Sequence, residues 1–234
     1  MTHLFSAPGR GGAGLEGVIF DLDGVLCRTD RYHLLAWGEL AASLGLNLPA
    51  DAAERTRGVG RMESLEIVLG GRAGRFTAEQ KLALAERKNR LYRARLGSLT
   101  PADAEPGAAG ALAELRRRGL RTAVASSSRN APLILEKLGL AALLDAVVDG
   151  GMISRSKPDP EVFLTAARLL GLPPGRCAVV EDAASGIEAA RRGGFCPIAY
   201  TGGERRLPGA DAEISSLDQL PALFSRGGAG GFPG

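Results

Sequence analysis

The stretch Gly17-Val18-Ile19-Phe20-Asp21-Leu22-Asp23-Gly24-Val25-Leu26 sets how the rest of the chain is read. Its first half is a short apolar, β-branched run, which predicts a strand over Gly17 to Asp21. Its second half, Asp-x-Asp-Gly, is a turn after that strand. By itself such a turn is as readily plain punctuation as a site. The residues downstream of it decide between the two.

Beyond this turn, short apolar runs alternate with helical patterns, the signature of a parallel sheet flanked by helices. Strands are predicted at Arg121 to Ala125, Ala146 to Val148, Ala178 to Glu181 and Pro197 to Tyr200. Helices are predicted at Ala131 to Leu138, Glu161 to Leu170 and Ala184 to Arg192, each with apolar residues at three- and four-residue spacing. Gly139, Gly171 and Gly193 stand where C-terminal caps belong. From Thr29 to about Leu96 the alternation stops and the pattern is helical only. Asp30 is a candidate cap for the first of these helices, and Thr77 with Gln80 forms a capping-box pattern for the last. The expected fold class is therefore α/β: a doubly wound parallel sheet, Rossmann-like, with an inserted helical cap domain. The expected division is a flexible leader over 1–16, a core domain over 17–28 and 97–225, a cap over 29–96 and a flexible tail over 226–234.

Composition agrees and excludes other classes. The chain has 234 residues, 45% hydrophobic and 24% charged, ordinary for a globular protein. No apolar run approaches the roughly 18 to 20 residues that span a bilayer. The N-terminus lacks a secretory apolar stretch, and Cys27, Cys177 and Cys196 are too few and scattered for a disulfide framework or a zinc site. Net charge is 29 minus 26, or +3, without the dense basic patch and interleaved aromatics of a nucleic-acid reader. The expectation is a cytoplasmic protein with no nucleic-acid or membrane partner.

Ligands of an open parallel sheet bind beyond the carboxyl ends of its strands. The first strand delivers Asp21 and Asp23 there, and the second Ser126-Ser127-Ser128-Arg129-Asn130. The third, past a loop, delivers Lys157 before Pro158, and the fourth Glu181 and Asp182. Four carboxylates at one crevice repel one another unless a cation sits among them, and hard oxygen donors with open positions suit Mg²⁺. The serine-rich turn offers amides and hydroxyls to a phosphate at a helix start, and Lys157 adds a point charge. Taken singly, the serines are a plain cap and Lys157 a solvated loop residue. Together, in this order, they describe phosphoryl transfer to an aspartate.

These residues resemble the four motifs of the haloacid dehalogenase-like superfamily, in order. Within it the chain is similar to the β-phosphoglucomutases over about 17–224. The closer matches are Thr29-Asp30-x-Tyr32-His33-x-x-Ala36-Trp37, Arg57-Gly58-Val59-x-Arg61-x-x-Ser64-Leu65 and the run Ser126 to Asn130. The resemblance implies Asp21 as the phosphorylated nucleophile and Asp23 as general acid/base. It implies Mg²⁺ held by Asp21, the backbone carbonyl of Asp23, Glu181 and Asp182. Ser126, the amide of Ser127 and Lys157 would hold the transferring phosphoryl group. Arg61 on the cap, with Ser128, Arg129 and Asn130 on the core, would hold the sugar's other phosphate, and Thr29, His33 and Lys88 would help close and orient the cap. Arg129 stands where the family usually has lysine, so the charge is kept but the grip differs.

The implied activity interconverts β-glucose 1-phosphate and glucose 6-phosphate, with β-glucose 1,6-bisphosphate as intermediate and activator, in a monomer whose partner is a small sugar phosphate. A sugar-phosphate phosphatase would share Asp21, Asp23, Ser126, Lys157 and Asp182. Arg61 favours the mutase, because a phosphatase needs only one phosphate seat. A non-catalytic phosphate-binding module would have no use for Asp23. Taken alone, His33 reads as a packed helix residue, Arg61 as a surface arginine, Trp37 as cap core and Cys27 as a small buried filler.

Overall fold

A computed structural model describes residues 14–202 and 207–224. In chain order it runs β1 (Gly17–Phe20), then α1 (Asp30–Ser43), α2 (Ala52–Arg55), α3 (Arg61–Leu69) and α4 (Ala78–Leu96), then α5 (Ala108–Arg117). The alternation comes next: β2 (Arg121–Ala125), α6 (Ala131–Lys137), β3 (Ala146–Val148), α7 (Glu161–Leu170), β4 (Cys177–Glu181), α8 (Ala184–Arg192), β5 (Cys196–Tyr200) and β6 (Ala212–Ile214). The six strands form one sheet in the order β3-β2-β1-β4-β5-β6, parallel throughout. The order reverses at β1, which lies between β2 and β4, and the crevice of a doubly wound sheet opens at that reversal.

The pleat sorts the apolar residues into two cores. Val18, Phe20, Val124, Ala178, Val180 and Ile198 face one way and pack on Leu112, Leu115, Ile134 and Leu135 of α5 and α6. Ile19, Ala123, Ala125, Cys177 and Val179 face the other way, onto Val162, Phe163, Ala166 and Ala167 of α7 and Ala189 and Ala190 of α8. Strands buried on both faces read as continuous apolar runs, which is why the sequence shows them so plainly. The helices of 30–96 have a third core of their own, formed by Trp37, Leu40, Ala41, Leu65, Val68, Leu69 and Ala85. Trp37 and Cys27 are both packed away, as expected of cap core and buried filler.

Several local expectations are corrected. Asp30 does not cap α1 but is its first residue, and the Thr29 side chain makes no capping bond because it turns to Asp23 instead. The Thr77 and Gln80 box does form: the Gln80 amide donates to Thr77 Oγ1 at 3.2 Å, and the Thr77 amide to Gln80 Oε1 at 2.8 Å. Gly193 does cap the end of α8, as expected, and the residue after it, Gly194, is the left-handed one. Strand β6 is additional to the expected strands; it is an edge strand of three residues, too short for an alternation to show. Of the expected leader, 14–16 is tied down: the Glu16 amide donates to the Arg176 carbonyl at 2.8 Å, and Arg176 also pairs with the Glu16 carboxylate. Residues 1–13 of that leader, and the tail over 226–234, lie outside the described residues.

Candidate active site

Asp21 comes directly after the last residue of β1, and its amide still donates to the Val180 carbonyl of β4, so the ladder fixes its backbone. The chain then folds tightly. The Leu22 carbonyl accepts from the amides of Val25, Leu26 and Cys27, and the Gly24 amide donates to the Cys27 carbonyl at 2.7 Å. Gly24 has φ +94°, and a Cβ there would stand 2.1 Å from Asp182 Oδ2. Only glycine lets this loop lie against Asp182.

Beneath Asp21 lies Lys157, 1% exposed. Its ammonium bonds Asp21 Oδ1, reaches Glu181 Oε1 at 2.6 Å and lies 4.8 Å from the centre of the Phe163 ring. Burial alone would lower its pKa, but the two carboxylates outweigh burial and raise it. The other oxygen of Glu181 accepts the Ala183 amide at 2.8 Å, so both of its oxygens are engaged. A Cβ on Gly186 would stand 1.9 Å from Glu181, so the first turn of α8 can only pass there as glycine. Burial raises the Asp21 carboxyl well above the usual carboxylate range, with Lys157 opposing. Burial and the neighbouring Glu181 push Asp182 up to about 7. Asp23 is raised by burial too, while its Oδ1 accepts from the Thr29 hydroxyl, which in turn accepts from Tyr92 at 3.3 Å.

The helices of 30–96 close over these groups. Ser127 Oγ donates to the Gly58 carbonyl at 3.1 Å, and Asn130 Nδ2 to Asn89 Oδ1 at 3.0 Å. Arg57 lies 3.5 Å from both Asp182 and Asp30. The enclosed cleft measures about 360 Å³. Its walls bring together Asp21, Asp23, Ser126, Ser127, Ser128, Arg129, Asn130, Glu181 and Asp182 from the core with His33, Arg61 and Lys88 from the cap. Thr29 and Lys157 are not on that wall: Thr29 stands behind Asp23 and Lys157 behind Asp21. Within the serine turn the Ser128 amide donates to Ser126 Oγ at 3.1 Å and the Asn130 amide to Ser128 Oγ at 3.2 Å, which fixes the loop that faces the cleft.

Lys88 is 3% exposed, bonds His33 Nδ1 at 2.6 Å and lies over the rings of Trp37 and Tyr92. Burial lowers its pKa to about 7 and holds His33 well below the ordinary histidine value. A neutral imidazole with its proton on Nε2 accepts from the Lys88 ammonium at Nδ1. Arg61 pairs with Glu86 at 2.9 Å. Arg57 stands within a motif but has no role assigned by the sequence, and Glu86 and Asn89 do not stand out in it. A signal for the last two lies in the spacing: Leu82, Ala85, Lys88 and Asn89 repeat at helical spacing, so α4 turns one face to the cleft and Glu86 stands at its edge.

Among the described residues no group of three His, Cys, Asp or Glu side chains stands in ligating geometry for a metal ion. The positions that would hold one are instead bridged by cations of the protein itself, Lys157 between Asp21 and Glu181 and Arg57 against Asp182. The donor chemistry nevertheless fits Mg²⁺. Two carboxylates with raised pKa are hard oxygen donors that gain from a divalent ion, and Mg²⁺ takes only one or two carboxylates beside other oxygen donors.

Fold and site together define a phosphoryl-transfer architecture of the aspartate type, and comparison with known proteins agrees. Residues 15–194 match the haloacid dehalogenase-like hydrolase family, and the chain belongs to that family. It is 40% identical over 208 residues to a β-phosphoglucomutase from Bacillus subtilis, covering 88% of this chain and 92% of that protein. It is 32% identical to a phosphorylated carbohydrates phosphatase from Thermotoga maritima, covering 77% of this chain and 82% of that protein. Among solved structures, a β-phosphoglucomutase from Clostridium difficile superposes with a TM-score of 0.84 at 34% identity, covering 88% of this chain and 93% of that one. Among the described residues no helix is long and apolar enough to cross a membrane.

Proposed function

We propose that this chain is a sugar-phosphate mutase that interconverts β-glucose 1-phosphate and glucose 6-phosphate in the cytoplasm, as a monomer. What supports the reading is that one cleft is lined by groups suited to two anion seats rather than one. The first would be Asp21 and Ser126 with Lys157 behind Asp21, and the second Arg61 with Arg129 on the same cleft. A phosphatase needs only the first.

In the forward half-reaction an Asp21 oxygen attacks the phosphorus of a bisphosphorylated sugar. The bond from phosphorus to the sugar oxygen breaks, and Asp23 gives that oxygen its proton. In the reverse half, Asp23 takes the proton of a sugar hydroxyl as the hydroxyl oxygen attacks the phosphorus, and the bond from phosphorus to the Asp21 oxygen breaks to return the carboxylate. Ser126 and the Ser127 amide orient the transferring group, while Lys157 holds Asp21 and offsets its charge. Between halves the β-1,6-bisphosphate turns over, so that each phosphate visits each seat. Arg61, Arg129, Ser128 and Asn130 hold whichever phosphate is not reacting. Mg²⁺, bound by Asp21, Asp182 and the Asp23 carbonyl with Glu181 alongside, would neutralise charge on the phosphoryl oxygens. Thr29 aims Asp23, and His33 with Lys88 sets the cap wall above the sugar. Cap closure keeps bulk water from the phosphoryl group.

The test is a coupled assay on β-glucose 1-phosphate with Mg²⁺ and a trace of β-1,6-bisphosphate, with free phosphate measured in the same tube. Glucose 6-phosphate formed in large excess over phosphate supports the mutase. Stoichiometric release of phosphate would support the phosphatase instead.

A further inference from the structure

Arg61 does not stand alone in the cleft. Its Nη1 meets Glu86 Oε1 at 2.9 Å, and Arg129 of the core lines the same cleft and adds like charge. Arg61 is half-buried, and burial together with Arg129 works against its charge, which Glu86 offsets. Glu86 itself is more than half exposed and stands at the cleft wall. Arg129 lines the same cleft, so the Arg61–Glu86 pair sits where two guanidinium groups contribute positive charge.

The pair is not needed to join α3 to α4. Lys81 of α4 already meets Glu66 of α3 at 2.6 Å, and Leu65, Val68, Leu69 and Ala85 pack the two helices together. A carboxylate placed on the arginine of an anion seat has another consequence. Whatever phosphate arrives must take Arg61 from it, or share Arg61 against its repulsion.

We propose that Glu86 is an exchangeable counter-ion of the second phosphate seat, occupying Arg61 when no phosphate is bound and giving way when one arrives. The inference rests on the reading of Arg61 as a phosphate ligand and adds what governs that seat. Its use lies in the cycle: a bisphosphate that must leave the seat, turn over and return gains from a carboxylate ready to take back the arginine. Glu86 is a positioning residue that acts through Arg61 and lowers the affinity of the seat so that its occupant can exchange.

The test is calorimetric titration of glucose 6-phosphate into the full-length chain with Mg²⁺ and no bisphosphate. The proteins are wild type, Glu86→Gln, Arg61→Ala and the double variant. Glu86→Gln should bind about two- to fivefold tighter, the range of a partly exposed ion pair. Arg61→Ala should bind at least about tenfold weaker, and adding Glu86→Gln to it should change nothing further. Glu86→Asp, one methylene shorter, should fall between wild type and Glu86→Gln, which guards against a fold defect in either variant. In turnover, KM for β-glucose 1-phosphate should fall in Glu86→Gln by a larger factor than any change in kcat. Unchanged or weaker binding by Glu86→Gln would overturn the proposal, as would a gain that persists without Arg61. If Arg61→Ala binds like wild type, the phosphate-seat reading fails with it. If Arg61→Ala is weak and Glu86→Gln is not tighter, only the counter-ion fails.

Discussion

The hydroxyl of Ser127 donates to the carbonyl oxygen of Gly58 across the cleft at 3.1 Å, joining the serine turn of the core to the α2–α3 loop of the cap. Gly58 has φ +75°, and a Cβ there would stand 2.8 Å from Ser185 Oγ. The closed cap thus depends on a residue without a side chain at the point of contact. Gly58→Ala should leave the core folded and hinder closure, costing about 1 to 2 kcal/mol at the contact. The expected outcome is KM raised about five- to thirtyfold, with secondary structure by circular dichroism unchanged. An alanine variant with wild-type KM would show that catalysis uses a different closure.

Asp21→Asn keeps the shape of the side chain but removes the proposed nucleophile and weakens the oxygen ligand proposed for Mg²⁺. Turnover should fall by at least about a thousandfold in a folded protein, with no phosphoenzyme formed. Thermal unfolding should show little loss of stability, because relief of a buried carboxylate crowded by Glu181 and Asp182 offsets the lost pairing with Lys157, which keeps Glu181. Substantial residual activity would rule out the covalent route.

Exhaustive chelation should abolish turnover, and Mg²⁺ should restore it where Ca²⁺ does not. In-line transfer suits compact octahedral coordination, and Ca²⁺ prefers looser, higher-number geometries. Saturating Mg²⁺ should also raise the melting temperature, since an ion bound only by the folded state stabilises it. Calorimetry on the metal-free and loaded protein checks the second point independently of activity.

Removal of the Arg61 guanidinium should separate transfer from hydrolysis. A charge-assisted contact contributes roughly 1.5 to 3 kcal/mol, so transfer to the sugar should fall about ten- to a hundredfold. Hydrolysis of the phosphoenzyme needs no second phosphate and should change little. Arg61→Ala should therefore raise the ratio of phosphate released to glucose 6-phosphate formed, with Mg²⁺ affinity close to wild type. An unchanged ratio with normal transfer would return Arg61 to the cap surface and favour the phosphatase.

Lys88 is faced by His33 and Trp37 of α1, Tyr92 of its own helix and Arg61 of α3, with Asp23 beyond, and burial lowers its pKa to about 7. Between pH 7 and the ordinary lysine value of 10.5, the unfolded chain holds a proton there that the folded chain has released. Stability should therefore rise with pH across that window, and below it the cost of the buried charge is fully present. Lys88→Met should lose that slope. Urea unfolding of both proteins at pH 6.5, 8 and 9.5 measures the difference; parallel curves would mean that Lys88 is normally charged in the fold.

The sheet, the helical insertion and the chemistry at the strand ends are all legible in the linear chain. Strands buried on both faces must be apolar throughout, as Val18 to Phe20 and Ala178 to Val180 are, and Asp21, Ser126 and Glu181 stand next to such runs. Parallel topology then sends all of them to one edge, so their juxtaposition is a consequence of order alone. Arg61 and Lys88 are visible at the same level, Arg61 inside a motif and Lys88 through the family resemblance. The partners those groups take are settled only by the packing of cap on core. Lys157 and Thr29 act from behind the cleft wall, Glu181 gives both oxygens to Lys157 and the Ala183 amide, and Glu86 claims Arg61. Distances between residues 25 or 136 positions apart in the chain set those choices, and no local pattern of side chains encodes them. Burial of the charged groups, which raises Asp21 and lowers Lys88, likewise exists only once cap and core exclude water from the space between them.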